Sequence, residues 1–227
     1  MIKNLINTLA ERLHIKRRMF INPMEGKKPI SISYAITVCN EAAQLHELLE
    51  FLHSYCVGGD EIVVQADKAN VTDAVKRVIQ AYPNIHYTEY DFHFDFAQAK
   101  NHLTEQCHGE WIFQLDADEC PQVELMKHLR AILHANCNAE LVKIPRINIF
   151  VNEDGNIIDS HVAWPDYQGR LYRNLPDRIC WKFPLHEKVH GHKAYIYLPK
   201  DDQYAIRHLK EKEQDKEKWQ HWKKHYK

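Results

Sequence analysis

Three features are missing from this sequence, and each absence narrows the kind of protein it encodes. No segment is long and apolar enough to span a bilayer, because stretches such as 141–151 are interrupted by charged residues. The six cysteines include no Cys-x-x-Cys pair, which favours reduced thiols over a disulfide framework. No secretory signal or low-complexity tract is recognisable. We therefore expect a cytoplasmic protein with one compact domain.

Charge is unevenly distributed along the chain, although the net charge is only −1. Residues 1–30 contain seven Lys or Arg against two acids, and residues 207–227 contain eight against four, so the region between them carries about −10. Basic, amphipathic ends suit peripheral contact with the inner face of an anionic membrane. Packing on the domain, or simple solvation, is the alternative. Nucleic acid is not expected, because the body is acidic and shows no binding motif.

Hydrophobic periodicity divides the chain into three parts. Residues 1–29 are predicted to form a basic amphipathic helix and linker, 30–200 the main domain, and 201–227 a basic helical tail. In the main domain, 30–120 alternate strand-like and helix-like segments, which predicts an α/β fold with a mainly parallel sheet. Residues 121–200 begin with a helix and continue as short strands. The predicted strands are 31–38, 61–65, 85–90, 111–115, 141–151, 169–173, 179–183 and 193–198, and Asn40 is expected to cap the first helix of the domain.

Two closely spaced carboxylates follow the strand predicted at 111–115. In an extended chain, Asp116 and Asp118 leave the same face, so both carboxylates would point toward one ligand. In open α/β sheets ligands bind beyond the carboxyl ends of the strands, where this pair falls. Hard cations such as Mg²⁺ or Mn²⁺ prefer oxygen ligands and are often held by one or two carboxylates together with substrate phosphates. The pattern thus predicts a metal-diphosphate site, with a solvated turn as the alternative.

Six short motifs occur in the order found in one enzyme family. They are SISYAITVCNE at 31–41, EIVV at 61–64, DFAQAKN at 95–101, LDADE at 115–119, RLYRN at 170–174 and LHE at 185–187. Together they resemble glycosyltransferase family 2 over roughly residues 31–190, and in particular short bacterial lipopolysaccharide-core and cell-envelope sugar transferases. The resemblance implies the GT-A fold, a nucleotide-sugar donor, a divalent metal, and inversion during transfer to a hydroxyl of a glycan or lipid-linked acceptor.

The resemblance also implies roles for individual residues. On the donor side, it places Asp116 at the ribose or metal and Asp118 at the metal. Lys100 would meet the diphosphate, although a solvated helix face is an alternative. The remaining donor-side positions, beside the nucleotide, are Thr37, Asn40, Glu41 and Asp67.

Sugar transfer also requires a group that takes the proton of the acceptor hydroxyl. Glu187 matches the His-Glu of the family branch and is the first candidate, with Asp166 second. His186, Arg170 and Arg173 are expected on the acceptor side, where the arginines would hold an anionic acceptor or phosphate. Structural ion pairs are the alternative for both arginines.

Other functions are also compatible with parts of the sequence. Residues 186–190 spell His-Glu-x-x-His, the zinc-hydrolase motif, which requires a helix so that His186 and His190 point the same way around Glu187. Pro184 and Gly191 flank the motif, and the surrounding segments are strand-like, which argues against such a helix. A metal-dependent nucleotidyltransferase and a non-catalytic sugar- or nucleotide-binding protein are further alternatives.

Overall fold

The structure, a computed structural model, describes residues 29–211. Residues 1–28, which contain the predicted N-terminal helix, and residues 212–227 of the predicted tail lie outside the described residues. The first half contains β1 (Ile32–Val38), α1 (Ala42–His53), β2 (Glu61–Asp67), α2 (Asp73–Gln80), β3 (Ile85–Tyr90), α3 (Phe96–Glu105) and β4 (Trp111–Asp116). The second half contains β5 (Glu119–Pro121), α4 (Val123–Ala135), β6 (Leu141–Val151), β7 (Ile157–Arg173), β8 (Cys180–Lys182), β9 (Lys188–His190), β10 (Tyr195–Tyr197), a 3-10 turn (Asp202–Tyr204) and β11 (Ile206–Glu211).

The first four strands form a parallel sheet in the order β3-β2-β1-β4, with the helices as crossovers. The helices begin where the sequence provides a cap: the Thr72 and Asp95 side chains accept backbone N–H groups of α2 and α3. Because the strands are parallel, their carboxyl ends meet at one edge. Thr37 is therefore in register with both Gln65 on β2 and Asp116 on β4.

The second half extends this sheet with strands of mixed direction. β7 is antiparallel to β4, β6 is antiparallel to β7, and β11 is parallel to β6. β5 continues the sheet beyond β11, β10 pairs with the start of β6, and β8 and β9 form a separate two-stranded sheet. The expected α/β fold, a mainly parallel sheet with a β-rich second half, is confirmed.

The core lies on both faces of the sheet. On one face, α1 buries Leu45, Leu48, Leu49 and Leu52 against β1, β2 and β4, as their spacing predicts. Each such leucine contributes about 1.5–3 kcal/mol of burial free energy. On the other face, Leu103 of α3 packs in a second cluster that includes residues of β8 and β9. This packing fixes the loop between β8 and β9 beside α3.

Two local predictions differ from the structure. The predicted helical tail starts at residue 201, but residues 206–211 form β11, which is held between β6 and β5. Buried and exposed residues alternate at the start of β11, as expected for a strand, but the charged residues of this segment hide the pattern in the sequence. In addition, Glu41 rather than Asn40 occupies the N-cap of α1, and no side chain caps that helix. Within residues 29–211, none of the helices has the length and apolarity needed to cross a bilayer.

Candidate active site

A cavity of about 1320 Å³ opens at the carboxyl ends of β1, β2 and β4 and continues along β6, β7 and the loop between β8 and β9. Pockets for one small ligand are typically about 300–1,000 Å³, so this cavity has room for two substrates. Most of the predicted site residues line it: Thr37, Glu41, Asp67, Lys100, Asp116, Asp118, Asp166, Arg170, His186 and Glu187. Asn40 and Arg173 are not among its lining residues.

Asp116 is surrounded by donors at the end of β4. The Thr37 hydroxyl donates to its Oδ1 at 2.7 Å, Arg170 donates to its Oδ2 at 2.5 Å, and Lys100 Nζ lies 3.7 Å from Oδ1. Burial by itself raises the pKa of Asp116, but Arg170 and then Lys100 outweigh it and hold the pKa well below its ordinary value. Asp116 is therefore ionised, and its charge is already compensated by protein cations.

Glu119 lies beneath Asp116 and was not predicted as a site residue. Its fully buried carboxylate accepts from Arg170 at 2.7 Å and Arg146 at 2.9 Å through Oε1, and its Oε2 accepts the Asp116 backbone N–H at 3.2 Å. Burial raises its pKa, whereas Arg170 and Arg146 lower it, and the net shift is downward. This ion network fixes the end of β4, and its members come together because β7 pairs with β4 and β6 pairs with β7.

Asp118 occupies a different environment from Asp116. β4 ends at Asp116, and the turn at 117–118 redirects the chain, so the two carboxylates are not on one continuous strand as expected. The Asp118 side chain is 23% exposed, and its Oδ2 lies 3.3 Å from Nε2 of His208. His208 in turn contacts Asn148 Oδ1 through Nδ1, and its strand β11 is held by a bond from Leu209 N to Asp118 O.

The donor set at Asp118 and His208 suits a divalent cation only in part. A carboxylate and an imidazole are both common ligands of Mn²⁺-type metals, and both residues line the cavity. Residues 29–211 contain no group of three or more His, Cys, Asp or Glu residues arranged to hold a metal ion. A cation here would need substrate oxygens to complete its coordination, as Mg²⁺ and Mn²⁺ commonly do.

Glu187 lies in the loop between β8 and β9, lines the cavity and is paired with Lys100. Lys100 Nζ donates to Glu187 Oε1 at 2.6 Å and lies 4.7 Å from the centre of the Trp181 ring. The Lys100 side chain is only 4% exposed, so it is not on a solvated helix face. Instead it joins α3, the loop carrying Glu187 and the carboxylate of Asp116.

Asp166, the second candidate base, is held by three side chains. Arg146 donates to its Oδ2 at 2.7 and 3.0 Å, Asn148 donates to the same oxygen at 3.1 Å, and Gln168 donates to Oδ1 at 2.7 Å. Burial raises its pKa, but Arg146 and these amide donors lower it overall. A carboxylate with this many donors is a weak proton acceptor.

The loops after β1 and β2 bring further oxygens to the cavity. Glu41 Oε2 accepts the backbone N–H groups of Cys39 and Asn40 at 2.9 and 3.0 Å, which closes the loop after β1. Asp67 accepts from Ala69 N and Asn70 Nδ2, which forms the turn after β2. Both carboxylates therefore shape their own loops as well as lining the cavity.

Arg173 does not lie where it was expected, whereas the His-Glu-x-x-His segment is non-helical, as its flanking residues indicate. Arg173 is at the other end of β4, in register with Trp111, where it pairs with Glu110 and donates to Cys137 O, so it does not reach the acceptor side. Residues 188–190 form β9 and His186 has a φ of 55°, so the segment is not helical. The helix that the zinc-hydrolase alternative requires is absent from this segment.

Comparison with known proteins places the chain in context. Residues 33–192 match the family model described as Glycosyl transferase family 2. The structure is similar to S. aureus TarS 1–349, with a TM-score of 0.56 and 14% identity over 79% of this chain and 60% of that one. The complex of TarS 1–349 with UDP-GlcNAc gives 0.58 and 14% over 81% and 59%. This chain thus spans about three-fifths of those chains, and at such identity the likeness shows the fold. Comparison with curated sequences found no match.

Proposed function

This chain belongs to glycosyltransferase family 2 and has the GT-A fold, and from this premise we propose that it transfers a sugar from a nucleoside-diphosphate donor to a hydroxyl of a glycan or lipid-linked acceptor. The observation that carries the proposal is that one cavity brings together Asp116 and Asp118, at and just after the end of β4, with Lys100 and Glu187. Inversion at the anomeric carbon and a place in bacterial cell-envelope synthesis are parts of the same proposal.

The donor lies, in this proposal, at the carboxyl ends of β1, β2 and β4. Thr37 and Asp67, near the ends of β1 and β2, and Asn40 and Glu41, in the loop after β1, would surround the nucleotide. Lys100 is a buried ammonium on the cavity wall, and a diphosphate there would replace the carboxylates as its partner. The solved TarS complex with UDP-GlcNAc supports this choice of donor class by similarity of fold alone.

Asp118 and His208 are the residues proposed to hold a divalent cation, Mg²⁺ or Mn²⁺. Asp116 is less suited to direct coordination, because Arg170, Lys100 and Thr37 already satisfy both of its oxygens. When bound, the cation would stabilise the negative charge that develops on the leaving diphosphate. Arg170 is correspondingly proposed to position Asp116 and Glu119 rather than to bind an anionic acceptor.

Glu187 is proposed as the base that takes the proton of the acceptor hydroxyl. A base must accept a proton during the reaction, and such a group contributes typically about 10²–10⁴ in rate. Asp166 is tied by Arg146, Asn148 and Gln168, which lowers its basicity, whereas the described polar contact of Glu187 is with Lys100 alone. Movement of Lys100 toward a bound diphosphate would free the Glu187 carboxylate for the acceptor.

A screen of nucleotide-sugars by thermal shift, with and without Mn²⁺, tests the donor proposal. A ligand present at about 100 times its dissociation constant adds roughly 2.7 kcal/mol of stability, which shifts the melting temperature measurably. We expect Mn²⁺-dependent stabilisation by one nucleotide-sugar class, and a smaller shift in Asp118→Asn, whose fold is retained. Stabilisation by no nucleotide-sugar contradicts the proposal. Release of inorganic pyrophosphate instead of nucleoside diphosphate would indicate a nucleotidyltransferase.

A further inference from the structure

Lys143 lines the cavity near the start of β6, before Arg146 of the ion network. Its position is set by β10, because Tyr197 is in register with it across the β6–β10 pair. Its Nζ lies 4.7 Å from the centre of the Tyr195 ring, 5.1 Å from that of Tyr197, and 3.4 Å from the Tyr197 hydroxyl. Aromatic faces attract a cation but leave its net charge uncompensated.

Three other cations of the cavity wall have carboxylate partners. Lys100 pairs with Glu187, and Arg146 and Arg170 pair with Glu119. In contrast, none of the ion pairs formed among residues 29–211 includes Lys143. Its charge is therefore available to a ligand.

Two histidines extend this cationic end of the cavity. His190 and His192 both line the cavity, and His192 packs edge-on against Tyr195 at 5.7 Å. Burial, then Lys143 and His190, lower the pKa of His192. Lys143 and His192 also contact the same ring, that of Tyr195, so the histidine lies in a cationic environment. In the free protein, this environment disfavours a further positive charge.

Glu140 does not neutralise the group formed by Lys143, His190 and His192. Glu140 acts to raise the pKa of His192, but its two oxygens accept from Arg178 at 2.6 and 2.8 Å and from the Lys193 backbone N–H. His190 Nε2 is buried and has no hydrogen-bond partner among the described residues. An unpartnered buried nitrogen indicates a place where a bound ion or water completes the hydrogen bonding.

Resting on the transfer reaction proposed above, we propose that the end of the cavity formed by Lys143, His190 and His192 binds an anionic group of the acceptor, a phosphate or a carboxylate. The anion would compensate Lys143, and its charge would favour protonation of His192. Tyr167, which also lines the cavity, gives the adjoining wall an aromatic surface for the sugar ring that carries the anion. A neutral acceptor would leave Lys143 without a counter-charge.

Binding of three monosaccharides to the full chain by calorimetry tests this assignment. The probes are glucose 6-phosphate, glucuronate and methyl glucoside, which present a phosphate, a carboxylate and no charge. We expect at least one anionic sugar to bind about tenfold or more tightly than methyl glucoside. Lys143→Met should remove most of that preference and Lys143→Arg should retain it. Lys127→Met, which removes a lysine charge on exposed α4, should behave as wild type.

Two results would overturn the assignment. One is equal binding of charged and neutral sugars by the wild type, and the other is an unchanged preference in Lys143→Met. A preference that disappears in Lys100→Met but persists in Lys143→Met would locate the anion at the proposed diphosphate position instead. Lys143→Met should still be stabilised by the nucleotide-sugar found in the thermal-shift screen, so a failure of donor binding in the wild type counts against the transfer proposal and not against the anion site.

Discussion

Lys100 Nζ donates to Glu187 Oε1 across 2.6 Å, although 87 residues separate them in the chain. The same ammonium lies 3.7 Å from Asp116 Oδ1, so one buried cation links the proposed acceptor base to the end of β4. Lys100 is nearly fully buried, so separating it from either carboxylate would leave a buried charge without its partner, which costs free energy. A negatively charged donor is the partner that would draw Lys100 away from Glu187.

A double-mutant cycle measures the strength of this link. Lys100→Met and Glu187→Gln, combined, should lose less stability than the sum of the single variants, with a coupling energy of about 0.5–3 kcal/mol in urea unfolding. The matched control is the exposed pair Lys127 and Glu124, whose coupling should be indistinguishable from zero. Additive effects for Lys100 and Glu187 would show that their contact in the structure is energetically unimportant.

Glu119→Gln should strongly destabilise the fold. The substitution leaves Arg170 and Arg146 with less negative charge in a buried site, and breaking one partner of such a network typically costs about 3–5 kcal/mol. Glu124→Gln, on the exposed face of α4, is the control and should leave the urea midpoint almost unchanged. Equal midpoints for the two variants would mean that the Glu119 network does not hold the end of β4.

The same network predicts how stability depends on pH. The pKa values of Asp116 and Glu119 are lower in the folded protein than their ordinary values, so the unfolded chain binds protons more readily. The stability they contribute is present above the ordinary carboxyl pKa of about 4 and is lost as the pH falls through the lowered values. Urea unfolding between pH 7 and pH 3 should show this loss, and Glu119→Gln should show a shallower slope.

Gly191 and Gly155 provide a matched pair for testing the loop that carries Glu187. Both have positive φ, 85° and 79°, but a Cβ at 191 would lie 1.8 Å from Arg178 O, whereas one at 155 would meet nothing within 4 Å. Gly155→Ala should cost only about 1 kcal/mol from its backbone conformation. Gly191→Ala should cost more and should weaken transfer while donor stabilisation persists. Identical melting temperatures for the two variants would refute the close approach to Arg178.

The basic ends of the chain predict contact with anionic membranes. Residues 207–227 carry Trp219, Trp222 and Tyr226 among lysines, a composition that favours an anionic bilayer surface. In liposome flotation, the full chain should bind vesicles containing anionic lipid and release them in high salt. Equal binding to neutral and anionic vesicles, or no binding to either, would reject electrostatic attachment.

The sequence predicts the parallel half of this fold well because its signals are local. The leucines at 45, 48, 49 and 52 have helical spacing, and Asp95 caps the start of α3. The carboxyl-end rule then places Asp116 and Thr37 at one edge of the sheet, where the structure shows their hydrogen bond. Each of these inferences depends on residues that are close in sequence or on the general geometry of parallel sheets.

The remaining site residues depend on pairings that no local pattern encodes. His208 reaches Asp118 only because β11 inserts beside β6, and a single histidine among 16 carries no signal of that pairing. Arg170 and Arg173 alternate in one strand, yet Arg170 enters the cavity and Arg173 pairs at the opposite end of β4. Glu119 and Lys143 were missed for the same reason, since their partners come from distant strands.

The most direct test of the account is the rate at which nucleoside diphosphate is released from the donor identified in the thermal-shift screen, compared between wild type and Glu187→Gln. The amide keeps the shape of the side chain but cannot take a proton, so acceptor-dependent release should fall about 10²–10⁴-fold while Mn²⁺-dependent donor stabilisation persists. A rate like that of the wild type would contradict the assignment of Glu187 as the base, and stoichiometric zinc with hydrolysis independent of nucleotide-sugar would contradict sugar transfer itself.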